Sequence, residues 1–241
     1  MLTNVHAAIR VAVLVALAAS ALPARALDYS FTLFGGYQDG LSTRLAASLS
    51  DVIPGAPISF SAGVGYAMRD PGDALLARQV FINQTQNGTP QKSGRDWDLR
   101  LDVAYHFRVA GLSEVAVFAG VRRSYFMGDF RYVGGNEDFE VTADQWGWGL
   151  GVRLGWSMSR DWSLTGQVGL DHYPTWSMTG HDATYASDGT IVNGRDNGNG
   201  VAYAIRDADR AINQPKFVPS VLLGLTWRPG TTSPPPVKGK R

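Results

Sequence analysis

The sequence predicts an all-β fold: an eight-stranded antiparallel up-and-down transmembrane β-barrel. Three observations carry that prediction. Apolar residues recur at every second position in eight separate stretches, which is the period of a strand. The connections between the stretches are alternately short and, for the most part, long. The gaps in the alternation hold Gly, Ser, Asp and Arg, where a half-buried soluble sheet would carry Lys, Glu and Thr.

The first stretch sets Leu27, Tyr29, Phe31 and Leu33 against Asp28, Ser30 and Thr32, and ends near Gly35-Gly36. The second, "LSTRLAASLS", is weaker and also fits a short amphipathic helix. Ile58, Phe60, Ala62, Val64, Tyr66 and Met68 form the third, with Arg69 among the alternate residues. The fourth is sharp: Trp97, Leu99, Leu101, Val103, Tyr105 and Phe107 face away from Asp98, Arg100, Asp102, Ala104, His106 and Arg108. The fifth sets Val115, Val117, Ala119 and Val121 opposite Ala116, Phe118, Gly120 and Arg122, and continues through Tyr125. The sixth, "DQWGWGLGVRLGWSM", places Trp146, Trp148, Leu150, Val152, Leu154, Trp156 and Met158 on one face, with glycines and Arg153 on the other. The seventh runs from Trp162 to Asp171 and the eighth from Phe217 to Arg228. No helix is expected between them, which excludes a parallel βαβ arrangement.

The joins "DVIPGAP", "VAGLSE" and "SRD" are short, whereas residues 70–96, 128–144 and 178–215 are long. Short turns at one end and long loops at the other are the asymmetry of a bacterial outer-membrane barrel, with both termini in the periplasm. Two faces follow. The Trp/Leu/Val face meets lipid and the alternate face lines a narrow interior. A one-residue slip of the sixth strand would move Arg153 into hydrocarbon at a cost of roughly 2–4 kcal/mol near the midplane, so register is well specified. Trp97, Trp146, Trp176 and Phe217 then form an upper aromatic girdle, and Phe107, Trp156, Trp162 and Trp227 a lower one.

Composition excludes other classes. Lys and Arg number 22 against 21 Asp and Glu, so no strong field attracts nucleic acid. There is no cysteine, which removes disulfides, thiolate metal sites and lipoprotein anchoring. Residues 1–26 read as a secretory signal peptide: Arg10 is followed by "VAVLVALAASAL", too short to span a bilayer, and Ala24-Arg25-Ala26 fits a cleavage site. Residues 27–229 are expected to be the barrel. Residues 230–241 are expected to be a disordered, Pro-rich, basic periplasmic tail.

With these features the chain resembles small bacterial outer-membrane β-barrels of the OmpA-transmembrane-domain and OmpX type. The resemblance covers residues 27–229 and rests on the leader, the eight alternating segments, the loop asymmetry and the aromatic-rich last strand "VPSVLLGLTWRPG". It implies a monomer in the bacterial outer membrane, surrounded by outer-membrane lipid and lipopolysaccharide. Two features depart from it. Trp227 is followed by a tail rather than ending the chain, and Pro219 removes a ladder hydrogen bond, so a bulge or a late strand start is expected there.

Inward parity gathers Asp98, Arg100, Asp102, His106, Arg108, Arg122, Arg153 and Asp171 into an expected lumenal charge network. These charges must pair or hold water in an interior of low dielectric. A structural plug is the first reading and a narrow pore for ions or small solutes the alternative. Loops 70–96 and 178–215 are candidate sites for a surface ligand. No catalysis is expected. The lipid A deacylase type of small barrel uses a His-x-Ser pair with a Glu, but here His106 is followed by Phe-Arg, His172 by Tyr-Pro and His181 by Asp-Ala. "SDGTIVNGRDNGNG" lacks the alternating oxygen ligands of a calcium loop, so neither metal nor cofactor is expected.

Overall fold

In the computed structural model the described residues are 28–83, 87–135, 137–174, 177–181, 183–186, 188, 191–192 and 203–229. The leader, part of the last long loop (chiefly residues 193–202), Trp176 and the C-terminal tail lie outside them.

The eight expected segments are strands, β1 (Asp28–Gln38), β2 (Leu41–Ser50), β3 (Ile58–Arg69), β4 (Thr89–Phe107), β5 (Glu114–Val133), β6 (Asp138–Ser157), β7 (Trp162–His172) and, last in the chain, β11 (Phe217–Trp227). Each pairs antiparallel with its sequence neighbour, β7 pairs with β11, and β11 pairs with β1 from Phe31↔Trp227 to Gln38↔Ser220. The ring is closed, so no barrel edge is left unpaired within the membrane-crossing part. The ambiguous second segment is a strand because Leu41 to Ser50 is enclosed between β1 and β3 on both sides. No bulge forms at Pro219. β11 stays in unbroken register with β7, and Pro219 lies beyond the β1 ladder, which begins at Ser220.

Burial alternates along every barrel strand with the apolar residues outside. Leu101, Val103, Val117, Val121, Leu150, Val152, Leu223 and Leu225 are exposed, while Asp98, Asp102, Arg122 and Thr226 are buried. This is the reverse of a soluble protein and suits a lipid solvent. Trp97 and Phe107 stand ten residues apart on β4. At ~3.3 Å per residue and a tilt of about 40° they span ~25 Å, the height of the apolar band of an outer-membrane barrel.

Above that band the pattern inverts on the same parity. β4, β5 and β6 rise well past the expected membrane level, so residues 89–96, 128–133 and 138–143 are strand rather than the loop expected from their polarity. Their outward faces become polar (Arg95, Asp129, Glu140), while Phe126, Phe130, Tyr132, Phe139 and Val141 turn inward and are buried. The sheet continues through the short strands β8 (Ser177–Gly180), β9 (Ala183–Ala186) and β10 (Ile191–Val192), with β8 pairing with β6 at Val141 to Ala143. Two helices that the sequence reading did not expect, α1 (Ala74–Phe81) and α2 (Ile205–Ala211), complete a core containing Phe81, Phe130, Phe139, Val141, Met178, Tyr185 and Ala208. Water, not lipid, surrounds this head, and the burial order reverts to apolar-inside for that reason. Asp73 caps α1 by accepting from the Leu75 and Leu76 amides at 2.9 and 3.1 Å.

Candidate functional site

The lumen is filled in layers. In the upper layer Arg122 donates to Asp171 Oδ1 at 2.8 Å and to Asp102 Oδ1 at 2.6 Å. Arg100 donates to Asp98 Oδ2 at 2.7 Å and to Asp171 Oδ2 at 3.0 Å. Arg44 of β2 reaches Gln38 Oε1 at 2.5 Å, and the Gln38 amide donates to Asp98 at 3.5 Å. Just above, Arg69 joins Asp96 at 3.3 Å and also Asp39, and Ser124 donates to Asp96 at 2.6 Å. Together these bonds join six strands, β1 to β5 and β7, across the interior.

Glycine makes the room. A Cβ on Gly149 would lie 1.9 Å from Asp171 Oδ1 and 2.8 Å from Arg122 Nη2, and one on Gly65 would lie 2.0 Å from Asp98 Oδ1. The small residues facing inward on β3 and β6 are therefore the space that the opposing Asp and Arg side chains occupy. Beneath this layer an apolar belt crosses the lumen: Phe34, Ala46 and Leu222 on one side, Ala104, Ala116 and Phe118 on the other. Below the belt the lining is polar again, with Thr226 bonded to Thr32 at 2.8 Å and to Thr165 at 2.6 Å. At the lower mouth His106 Nε2 bonds Ser59 Oγ at 2.7 Å, and Arg228 reaches Glu114 at 2.7 Å.

The upper mouth is covered. The segments that lead into α1 and out of α2 zip together through the Gly72↔Ile212 bridge, Asp73 N–H to the Ala211 carbonyl at 2.8 Å, and Asn213 N–H to the Pro71 carbonyl at 3.0 Å. Pro71 sits over Gly94 and Gly128 of the barrel wall. The head is locked by Arg78, a fully buried cation. It donates to Glu137 at 3.1 and 2.8 Å and to Asn87 at 2.7 Å, and lies over the Tyr132 ring at 4.4 Å. Burial pushes the Tyr132 and Tyr185 phenols up to about 12.

Of the expected network, Asp98, Arg100, Asp102, Arg122, Arg153 and Asp171 are buried in the lumen. His106 is at the half-exposed lower mouth, apart from the upper layer. Arg108 is a correction: β4 ends at Phe107, and Arg108 is exposed in the turn. Sequence reading missed Arg44, Arg69, Asp96, Gln38 and Glu114. Each has inward parity: Arg44 and Arg69 already fall on the inward side of the second and third stretches, whereas Gln38, Asp96 and Glu114 lie just beyond the expected strand ends. Trp97, Phe107, Trp146, Trp156, Trp162, Phe217 and Trp227 are all exposed on the outer face. The upper ring also contains Tyr66 against Trp97, and His172 stacked on Phe217 at 4.4 Å.

A closed eight-stranded antiparallel ring with an apolar outside and a charged inside is an outer-membrane β-barrel, and this chain is one. It is similar to a major outer membrane protein from Thermus thermophilus, with 26% identity over 85% of this chain and 100% of that one, at a TM-score of 0.65. The N-terminal β-barrel domain of Pseudomonas aeruginosa OprF matches at 10% identity over 83% of this chain and 96% of that one (TM-score 0.43). Neisserial surface protein A matches at 10% over 84% and 95% (TM-score 0.41). No protein-family model and no curated sequence matches the chain.

Proposed function

We propose that the protein is a sealed outer-membrane barrel that holds a rigid head outside the cell, serving envelope integrity and surface binding through that head rather than transport or catalysis. The observation that supports this reading is the head's own buried core. Connections that could have been mobile loops instead form strands, two helices and a buried Arg78 cluster. A preformed surface binds without the ordering cost that a floppy loop bears.

The lumen supports the sealed part of the reading. A permeating ion would have to pass the covered upper mouth, the Arg/Asp layer and the Phe118–Leu222 belt. Purified protein in planar bilayers is expected to give no discrete conductance steps, as wild type or as Arg153→Ala. Steps in either would replace this reading with the narrow pore. The surface role is tested by adhesion of detergent-folded protein to matrix and serum proteins, with residues 74–83 exchanged for a short Gly-Ser linker. Adhesion that survives the exchange would assign binding elsewhere. Export through cleavage after Ala26 belongs to the same reading and is checked by the N-terminal sequence of protein recovered from outer membranes.

A further inference from the structure

Five barrel strands, β1, β2, β3, β7 and β11, have their upper ends near the upper aromatic girdle, whereas β4, β5 and β6 continue past it into the head. The rim is low on that side, and between it and the head lies a cleft of about 340 Å³. That volume falls within the range of small-molecule sites. Asp39 in the β1–β2 turn, Asp70 beyond β3, and residues of the run from Asp209 of α2 to Phe217 of β11 line it. The side chains of Asp39 and Asp70 are 47% and 60% exposed, so a ligand can reach them. The walls are fixed in advance, which spares a ligand the cost of ordering them. A Cβ on Gly40 would lie 1.8 Å from the Met68 carbonyl oxygen, so the turn that carries Asp39 is pressed onto β3. The opposite wall is tied by the Gly72↔Ile212 bridge, by the Asn213 N–H on the Pro71 carbonyl at 3.0 Å and by the Tyr173 N–H on the Lys216 carbonyl at 2.7 Å.

Charge decides the class of ligand. Each carboxylate of the cleft has its own cation: Asp39 has Arg69, Asp70 has Lys92 at 2.7 Å, and Asp209 has Lys216 at 2.5 Å. The cleft is balanced, so a charged ligand of either sign would meet like charge. Among the described residues no three acidic or histidine side chains come together as a metal ion would require. The ion pairs leave acceptors over. Asp39 bonds Arg69 through Oδ2, and Asp70 takes both Lys92 and the Gly72 amide on Oδ1, so Asp39 Oδ1 and Asp70 Oδ2 have no partner among the described residues. The exposed Asn213 amide adds a donor and an acceptor beside them. Phe217 and Ile212 supply an apolar surface, and His172 stacks on the Phe217 ring at 4.4 Å. A sugar ring matches this lining: it is neutral, has hydroxyl donors along its edge, and has a C–H face that packs on an aromatic ring by dispersion.

We propose that this cleft binds a neutral sugar residue, with Asp39, Asp70 and Asn213 on its hydroxyls and Phe217 against its ring face. Phe217 belongs to the upper girdle, so the cleft stands at the height of the outer-leaflet headgroups, and the sugar of a membrane glycolipid reaches it as readily as that of a free oligosaccharide. The inference goes beyond adhesion through the head. None of residues 74–83 lines the cleft, so loss of protein adhesion and loss of sugar binding are separate results.

The test is saturation-transfer NMR of the full chain folded in a phosphocholine detergent, which carries no sugar, with methyl glucoside, methyl galactoside and maltose as probes. Wild type should transfer saturation to the ring C–H protons. Asn213→Ala and Phe217→Ala should each raise the dissociation constant about three- to tenfold, the worth of one hydrogen bond or one aromatic contact. Both residues are exposed, so both variants should fold, as the mobility of unboiled samples checks. Phe107→Ala, at the lower girdle, should bind as wild type does. Repeating the titration in phosphatidylcholine vesicles with and without a galactosyl diacylglycerol separates the sources. A probe signal lowered by the glycolipid assigns the cleft to membrane headgroups, and an undiminished signal assigns it to free oligosaccharides; either supports the proposal. No transfer from wild type to any of the probes, or an equal dissociation constant in wild type, Asn213→Ala and Phe217→Ala, would overturn it.

Discussion

Arg122 and Arg123 are adjacent and chemically identical, yet the fold gives them opposite solvents. Arg122 is fully buried and makes two charge-assisted bonds, 2.8 Å to Asp171 and 2.6 Å to Asp102. At roughly 1.5–3 kcal/mol for each such bond, Arg122→Met should cost about 3–6 kcal/mol, in line with the ~3–5 kcal/mol for removing one partner of a buried ion pair. Arg123 also has a bidentate partner, Asp144 at 3.0 and 2.8 Å, and cation–π contacts with Tyr125 and Trp146. That pair is partly exposed at the outer face, so Arg123→Met should cost about 1 kcal/mol or less. The assay is urea unfolding in vesicles, followed by tryptophan fluorescence and by the mobility difference between boiled and unboiled samples. Arg122→Met combined with Asp102→Asn should recover part of the loss, since the two residues are coupled. A loss under about 1 kcal/mol for Arg122→Met, or equal losses at both positions, would refute the reasoning.

Gly149→Ala, whose new carbon would overlap Asp171, should cost about 1–3 kcal/mol, whereas Gly166→Ala, with nothing nearer than 3.5 Å, should be nearly silent in the same unfolding assay. Leu150→Arg on the lipid face should cost roughly 2–4 kcal/mol, and Thr142→Arg, on the same parity of the same strand but in the head, close to nothing. Phe130→Ala should open the head at a cost of about 3–5 kcal/mol and make residues 70–83 sensitive to protease, while the boiled-versus-unboiled mobility difference persists. Tyr132 and Tyr185 keep their protons to about 12, whereas unfolded tyrosine loses its own near 10.0. Unfolding therefore releases protons between these values, and head stability should fall as pH rises through that window, as followed by tyrosine absorbance during titration.

The barrel was legible in the sequence because a strand of period 2 between two different solvents leaves an unambiguous record: from Trp146 to Trp156 each bulky residue faces outward and each glycine faces the interior. The head was not, for a physical reason. Where β4, β5 and β6 leave the membrane the solvent changes, so the alternation reverses its meaning: Phe130 and Phe139 are inside there, while Leu101 and Leu150 are outside in the membrane. A reading tuned to apolar-outside sees residues 128–144 as polar loop. The helices were hidden too, since α1 is eight residues and α2 seven, each stabilised by packing on the head core rather than by a long apolar period. The lumenal network was legible in part. Parity identified Arg122, Asp171 and Arg100, but Gln38, which links Arg44 to Asp98, lies on β1, and only closure of the ring brings it within reach of β4.

The inside-out alternation of β6 is the central claim, and the absence of native cysteine allows it to be read directly. Single cysteines from 147 to 156, each carrying a spin label in vesicle-folded protein, would report oxygen and water access position by position. Positions 148, 150, 152 and 154 should be high in oxygen access and low in water access, as lipid-facing sites are, and 149, 151 and 153 low in oxygen. Uniform access along the stretch, or water access at the even positions, would contradict it.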